Sequence, residues 1–508
     1  MKSPLRFLLL LVLLFPTRSL KADVTPNGLF SDHMVLQQGM KVPVWGDAAE
    51  GEQVTVGFAG QKATATTKNG RWMAWLTPMK ASNTPQTMTI TGSNTIAIQD
   101  VLVGEVWVCG GQSNMERQLG LRPPQNPLVN WQQEAASANY PLIRQMFVPH
   151  VIAASPQLNL SGTWSVCTPQ TAINFTAVGY YFGRDLYKNL NVPIGLIHSS
   201  WGGTPAEAWT RHEILAGNPL LTPILDDYAK AVASYPQRLA KFKADEPKLM
   251  QDYTAAAALA GAQGKHAPPA PKAPGDPDKG PYGPSHLYDA MINPLLPYAI
   301  RGVIWYQGES NSDRGMQYRT LFPAMIADWR AQWGEGDFPF LFVQVAGYAK
   351  TVPEIREAQL FTALKTPNTA MAVITDYSDA TNIHPSNKEP VGDRLALAAR
   401  ALAYGQSIEY SGPLYKEAKI DGGKVILSFT HTGTGLTSRG QPLKGFTIAG
   451  ADKAFVPADA EIKGDTVVVS SPQVPSPSAV RYGWANVPDC NLYNVEGLPA
   501  SPFRTDPD

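Results

Sequence analysis

Charged residues are scarce in this chain of 508 residues, since Asp, Glu, Lys and Arg make up only 17% of it. Lys plus Arg and Asp plus Glu both count 42, so the formal net charge is zero. With no net charge and no long basic run, the sequence offers no electrostatic basis for binding nucleic acid. Hydrophobic residues make up 44%, which is enough for packed cores and excludes a disordered chain.

Cysteine is also rare. Only Cys109, Cys167 and Cys490 are present, and no Cys-x-x-Cys pair occurs. This composition argues against a cysteine-ligated zinc site. We predict that the protein needs neither a metal nor an organic cofactor.

Long apolar runs are absent after the amino terminus, because no segment reaches the roughly 18 residues that a membrane span needs. At the amino terminus, Lys2 and Arg6 flank the start of a short apolar run at residues 7–15. This pattern is typical of a secretory signal, and a retained membrane anchor is the alternative. We therefore predict a signal peptide over residues 1–22 and no stable membrane insertion after its removal. The mature chain would be secreted, periplasmic or associated with the cell surface.

The pattern of apolar residues changes along the chain and predicts an α/β protein with β-rich ends. Short strands with glycine turns, including Asn69-Gly70, predict a jelly-roll or immunoglobulin-like β-sandwich over residues 23–100. Apolar strands that alternate with amphipathic helices predict a parallel sheet flanked by helices over residues 101–409. A helical and proline-rich segment at about 210–287 reads as an insertion into that region. Residues 410–508 are predicted to be β-rich.

Polar or glycine-rich segments follow four of the predicted central strands, and ligands bind at such strand ends in parallel sheets. Ser113 stands at a glycine-rich strand-to-helix turn, where a nucleophile can be exposed. Ser113 and Glu116 also fit a capping box, so helix capping is the alternative. Gln307, after a second strand, carries an amide that could donate to an oxyanion.

A serine nucleophile needs a base, and the base needs a group that orients it. His384 follows a predicted strand, with Asp376 and Asp379 upstream of it. His198, at the end of another apolar run, is the main competing histidine. Together the strand ends supply a serine, a glycine turn, an amide and an Asp/His pair, which suits acyl transfer.

The chain resembles the sialate O-acetylesterase family of carbohydrate esterases, within the SGNH hydrolase superfamily. The resemblance covers nearly all of the mature chain, except the region of about 224–284. It implies an SGNH-hydrolase-like fold for the predicted parallel sheet. The segments that carry it most clearly are Gly111-Gln112-Ser113-Asn114-Met115, Trp201-Gly202-Gly203-Thr204, Trp305-Tyr306-Gln307-Gly308-Glu309-Ser310-Asn311 and Ile383-His384-Pro385.

The resemblance implies that Ser113 is the nucleophile and His384 the general base. It also implies that the backbone N–H of Gly203, or of its neighbour Gly202, binds the oxyanion together with Ser113 N–H and the Gln307 amide. Many members of the superfamily have the acid three residues before the histidine, where this chain has Thr381. The acid is therefore Asp379 or Asp376, or a dyad operates without one.

The function expected is hydrolysis of O-acetyl esters on an acetylated oligosaccharide or polysaccharide, through an acyl-enzyme. Sialic acid, xylan and xyloglucan are all candidate substrates. A glycoside hydrolase that uses Glu309 in a carboxylate pair and a non-catalytic sugar-binding protein are the alternatives. The candidate substrate-binding residues are Asn114, Trp201, Glu309 and Tyr377.

Overall fold

A computed structural model describes residues 23–506. The predicted signal peptide, residues 1–22, lies outside the described residues. The amino-terminal region consists of short strands in which buried and accessible residues alternate, as Gln53–Phe58 illustrates. These strands are β1 (Thr25–Pro26), β2 (Val35–Gln37), β3 (Val42–Asp47), β4 (Gln53–Phe58), β5 (Gln61–Thr66), β6 (Arg71–Leu76), β7 (Ser82–Thr91) and β8 (Thr95–Gly111).

The turn at Asn69-Gly70 forms with both residues at positive φ, 55° and 76°, as a tight reversal requires. The turn closes with an antiparallel bridge between Lys68 and Arg71, which exchange N–H···O bonds of 2.8 and 3.1 Å, but the pairing ends there because the flanking strands enter different sheets. β5 pairs with β4, whereas β6 pairs with β3. The turn therefore carries the chain from one sheet of the amino-terminal region to the other.

Strand β8 continues without a break from the amino-terminal region into the central sheet. Its first part pairs with β7 and β2, and its last part pairs in parallel with two later strands. The predicted boundary at residue 100 thus falls inside one strand. The remaining central strands are β9 (Tyr140–Phe147), β10 (Trp164–Cys167), β11 (Ile194–Ser200), β12 (Gly302–Tyr306), β13 (Phe340–Val343) and β14 (Thr369–Ala372).

The central sheet has the order β10-β9-β11-β8-β12-β13-β14, and only the β10–β9 pair along this path is antiparallel. Because the other pairs are parallel, the carboxyl ends of β8, β11, β12, β13 and β14 lie at one edge of the sheet. The protein is therefore a mixed α/β structure, as predicted, with a large mixed sheet and β-rich regions.

Helices cover both faces of the central sheet, since alternate residues of each strand enter separate cores. On β12, Trp305 enters one core with Trp329, and Tyr306 enters the other with Phe182. The helices are α1 (Ser113–Glu116), α2 (Trp131–Ser137), α3 (Ala177–Leu190), α4 (His212–Ala216), α5 (Thr222–Ala262), α6 (Gly315–Trp333), α7 (Pro353–Lys365) and α8 (Glu389–Leu402).

Helix α5 lies within the segment predicted to be an insertion, and the proline-rich segment follows it. Within residues 23–506, no helix is both long and apolar enough to span a membrane. The carboxyl-terminal strands confirm the β-rich pattern. They are β15 (Leu414–Asp421), β16 (Lys424–Thr430), β17 (Leu436–Thr437), β18 (Phe446–Ala449), β19 (Val456–Pro457), β20 (Asp459–Lys463), β21 (Thr466–Ser470), β22 (Ala479–Tyr482), β23 (Tyr493–Asn494) and β24 (Phe503–Arg504).

Candidate active site

Ser113 follows the end of β8, at a turn that is held against β12. Gly111 has φ 134°, and a Cβ at this position would lie only 2.2 Å from the Tyr306 carbonyl oxygen, so the close approach requires glycine. The next residue, Gln112, donates its N–H to the same carbonyl at 2.9 Å. Ser113 is the first residue of α1 and Gln112 is its N-cap. The capping alternative for Ser113 is therefore wrong, and its hydroxyl is available for chemistry.

His384 reaches Ser113 from the loop that precedes α8. Its Nε2 lies 2.9 Å from the Ser113 Oγ, which is hydrogen-bonding distance for a base and a nucleophile. Two bonds hold the backbone of this loop. His384 N–H donates to Asn382 Oδ1 at 2.9 Å, and the Asn114 amide donates to the Ile383 carbonyl at 3.1 Å. The residue after the serine thus ties the serine helix to the histidine loop.

The imidazole of His384 is in an environment that favours its neutral form. Burial, followed by the charges of Lys388 and Arg122, lowers its pKa to about 4. A neutral imidazole can accept the proton of a serine hydroxyl, whereas a protonated one cannot. His384 is therefore in the form required of a base across the neutral pH range.

The structure brings neither predicted carboxylate to His384. Asp376 forms a two-pronged salt bridge with Arg394, at 2.8 and 2.6 Å. Asp379 accepts bonds from the Thr381 backbone and hydroxyl, both at 2.8 Å. In the described part of the chain, no carboxylate forms a hydrogen bond with His384. Both side chains are thus engaged elsewhere in this structure, and the role of either as an orienting acid stays a prediction.

The glycine turn after β11 provides the candidate oxyanion site. Gly202 N–H donates to Glu116 Oε2 at 2.8 Å, so this group is already occupied. Gly203 is exposed and has φ 79°. Within residues 23–506, the N–H groups of Ser113 and Gly203 have no hydrogen-bond acceptor. Of the two predicted glycines, Gly203 therefore has the N–H that can receive a ligand oxygen.

The amide of Gln307 is fully buried and saturated by internal hydrogen bonds. Its nitrogen donates to Thr204 O at 3.3 Å and to Asn311 Oδ1 at 2.7 Å, and its oxygen accepts from the Tyr318 hydroxyl at 3.0 Å. Its exposed fraction is zero. The amide hydrogens are thus already bound inside the protein, and the role of Gln307 as an oxyanion donor stays a prediction.

Asn114 and Glu309 form an internal network rather than a surface that binds substrate. Asn114 is buried, donates to Glu309 Oε1 at 2.6 Å, and accepts from the Lys388 ammonium at 2.5 Å. Burial raises the pKa of Glu309 and lowers that of Lys388 to about 7. Both ends of the Asn114 amide are thus bound inside the protein, and its contact with substrate stays a prediction. Glu309 Oε2 is buried with no hydrogen-bond partner among the described residues.

The two predicted aromatic ligands lie in different settings. Trp201, in the glycine turn, is half-buried and stacks on His150 with centroids 4.3 Å apart and planes 8° apart. Tyr377 is half-buried beneath the Arg394 guanidinium, 5.5 Å from the ring centroid. Both side chains remain partly accessible, and their contact with a sugar stays a prediction.

Glu116 is a site residue that sequence reasoning treated only as part of a capping box. Its carboxylate instead accepts from Gly202 N–H and, at 2.7 Å, from Arg122. The carboxylate thus joins the serine helix to the glycine turn. The only sequence signal for this role is the position of Glu116 within the motif that contains Ser113. Lys388 is a second residue that sequence reasoning missed, and its only signal is its position in the segment that follows His384.

His198, the competing histidine, is not a candidate base. It is 2% exposed and its Nε2 lies 2.6 Å from the Ser200 hydroxyl, which is itself fully buried. Burial lowers its pKa to about 3. A substrate cannot reach this pair without rearrangement of the core, so its role is structural.

Comparisons with known proteins show what the chain is similar to. A family model described as a carbohydrate esterase, sialic acid-specific acetylesterase, matches residues 277–401. The sialate O-acetylesterase of Rattus norvegicus is 32% identical, over 98% of this chain and 97% of its own length. That of Homo sapiens is 30% identical, over 98% and 95%. A crystal structure of a carbohydrate acetylesterase from Xanthomonas citri is 38% identical with a TM-score of 0.79, and the match covers 95% of this chain and 100% of that one.

Proposed function

We propose that this chain, which belongs to the sialate O-acetylesterase family of carbohydrate esterases, removes acetyl groups from sugar hydroxyls through an acyl-enzyme on Ser113. Membership of this family makes the protein a carboxylic ester hydrolase that acts on carbohydrate. The observation that carries the proposal is the 2.9 Å contact between Ser113 Oγ and His384 Nε2. The backbone N–H groups of Ser113 and Gly203 lie beside this pair and have no acceptor among the described residues.

The first step forms the acyl-enzyme. His384 Nε2 takes the proton of Ser113 Oγ as this oxygen bonds to the acetyl carbon, and the carbonyl oxygen becomes an oxyanion. The N–H groups of Ser113 and Gly203 donate to that oxyanion. When the bond between carbon and sugar oxygen breaks, His384 returns its proton to the leaving sugar hydroxyl.

The second step releases acetate. Water loses a proton to His384 Nε2 and adds to the acyl carbon, which again places negative charge on the carbonyl oxygen. Collapse of this intermediate breaks the bond to Ser113 Oγ, which regains a proton from His384. The proton balance closes on these two side chains without a third titrating group.

The pair is proposed to work as a dyad, without an orienting carboxylate. In place of an acid, the backbone bonds to Asn382 and Asn114 hold the histidine loop. The Glu309–Asn114–Lys388 network acts through this loop as a set of positioning residues, since Asn114 contacts both Glu309 and Lys388.

The wider assignments are proposals as well. The central sheet is proposed to have the SGNH-hydrolase arrangement, within the boundaries 101–409, with the β-sandwich at 23–100 and the β-rich region at 410–508. Residues 1–22 are proposed to direct secretion, which would place the enzyme outside the cytoplasm, where it meets acetylated polysaccharides. Acetylated sialic acid, xylan and xyloglucan are the substrates to compare.

Acetate release and new reducing ends, measured in parallel on those three acetylated glycans, test the function. The proposal predicts acetate from at least one glycan, no new reducing ends, and loss of acetate release in Ser113→Ala. Reducing ends without acetate would instead support a glycoside hydrolase that uses Glu309. Binding without either product would support a non-catalytic sugar-binding protein.

A further inference from the structure

The end of the insertion returns to the candidate active site and places an aromatic ring beside the glycine turn. A Cβ built on Gly203 would lie 3.7 Å from Tyr282 Cε1 and 3.8 Å from its hydroxyl oxygen. Tyr282 is nevertheless 59% exposed. One side of the ring thus approaches the proposed oxyanion glycine, while much of its surface remains open to solvent.

A cavity of about 280 Å³ lies next to this ring. One wall comes from the insertion and the other from the segments that follow β11 and β12, whose carboxyl ends lie at the same edge of the sheet as that of β8. Pockets for small ligands usually have volumes of roughly 300 Å³ or more. Because this cavity is slightly smaller, its volume suits a single sugar ring. Its lining includes Asp227, Tyr228, Tyr282, Glu207, Arg314 and Gln317.

Hydrogen bonds fix both walls of the cavity. The Tyr228 hydroxyl on α5 donates to Asp278 Oδ1 at 2.6 Å, which ties the helix to the segment that leads to Tyr282. The Ser285 N–H donates to the Glu207 carbonyl at 2.9 Å. On the opposite wall, Arg314 bonds to Glu207 at 2.7 Å and to Gln317 at 3.0 Å. These bonds connect each wall of the cavity to neighbouring segments.

We propose that this cavity is a subsite for a neutral sugar ring that lies next to the acetylated one in an oligosaccharide, and that Tyr282 is its stacking surface. This inference rests on the proposed function and adds a preference for longer saccharides. An exposed aromatic ring offers an apolar face to the C–H groups of a sugar, with a hydroxyl at its edge. Tyr282 also carries a hydroxyl that can bond to a sugar hydroxyl.

Kinetics with substrates of two lengths test the subsite. The probes are chemically acetylated xylotetraose and cellotetraose, each compared with the matching acetylated monosaccharide. The wild-type enzyme should have a higher kcat/KM for at least one tetrasaccharide than for its monosaccharide. Tyr282→Ala should lower the ratio of the tetrasaccharide kcat/KM to the monosaccharide kcat/KM about tenfold, which corresponds to about 1.4 kcal/mol. Tyr282→Phe retains the ring and should keep most of the ratio.

Trp75→Ala serves as the control because Trp75 is also a half-exposed aromatic residue, on β6 of the amino-terminal region. It should leave the ratio unchanged. No preference for the tetrasaccharide, or an equal loss on both lengths in Tyr282→Ala, would overturn the subsite and leave the esterase assignment intact. A wild-type enzyme that releases acetate from none of these saccharides, nor from the three glycans above, would overturn the proposed function and the subsite with it.

Discussion

Substitution of Glu116 by Gln tests how the oxyanion site is held. Glu116 lies three residues after Ser113 and accepts two bonds, from Gly202 N–H at 2.8 Å and from Arg122 at 2.7 Å. Its side chain is 11% exposed, so water replaces these partners poorly. Glutamine has nearly the same shape but only one acceptor oxygen and no charge. One of the two donors therefore loses its acceptor, and the turn that carries Gly203 loses part of its support.

The size of the effect follows from these contacts. A hydrogen bond to a charged group contributes about 1.5–3 kcal/mol, and removal of one oxyanion donor lowers kcat by about 10²–10³. The Gly203 N–H is displaced in Glu116→Gln rather than removed. We therefore expect kcat to fall about 30-fold, which corresponds to about 2 kcal/mol of transition-state stabilisation. KM for a small ester should change little, because the displaced group acts on the transition state.

Steady-state hydrolysis of 4-nitrophenyl acetate, together with thermal unfolding, measures this prediction. The matched control is Glu134→Gln, since Glu134 also accepts from an arginine and one further donor, Arg184 at 2.7 Å and Tyr180 at 3.1 Å. The control should lower the melting temperature and leave kcat unchanged. An unchanged kcat in Glu116→Gln, or an equal loss in both variants, would refute the positioning role of Glu116.

Three further predictions concern the base and the two predicted acids. Because burial and Lys388 lower the pKa of His384 to about 4, kcat/KM should decline only as pH falls through about 4; an acid limb near 6.5, the ordinary histidine value, would contradict this. Asp379→Asn should retain kcat/KM within about threefold, whereas loss of a triad acid costs about 10⁴. Asp376→Asn removes the charge and one of the two acceptor oxygens that bind Arg394 and should lower the free energy of unfolding by about 1.5–3 kcal/mol in urea; unchanged stability with lost activity would instead support Asp376 as the acid.

The strand ends could be predicted because their signals are local. Apolar runs such as residues 302–306, followed by glycine and polar residues, specify both a buried parallel strand and its functional end. The Asn69-Gly70 turn was equally visible, because both positions adopt positive φ. The strands that pair with β5 and β6 could not be predicted. Both strands pair outside the turn, and only the tertiary fold decides which partners they have.

Side-chain directions at the site could not be read from the sequence. Gln307 has the right residue type and strand end for an oxyanion donor, but its amide turns inward to Asn311 and Tyr318. Asp376 likewise turns to Arg394, 18 residues later in the chain. These outcomes depend on donors and acceptors from separate elements, which compete for each polar group once the interior excludes water.

The central claim is that Ser113 is the nucleophile and that His384 activates it. Reaction with an organophosphonate ester, followed by mass spectrometry of the digested protein, tests this most directly. We expect one covalent adduct on Ser113 in the wild-type enzyme, and labelling slower by about 10²-fold or more in His384→Ala. An unlabelled wild-type protein, or an adduct on another residue such as Ser200, would contradict it.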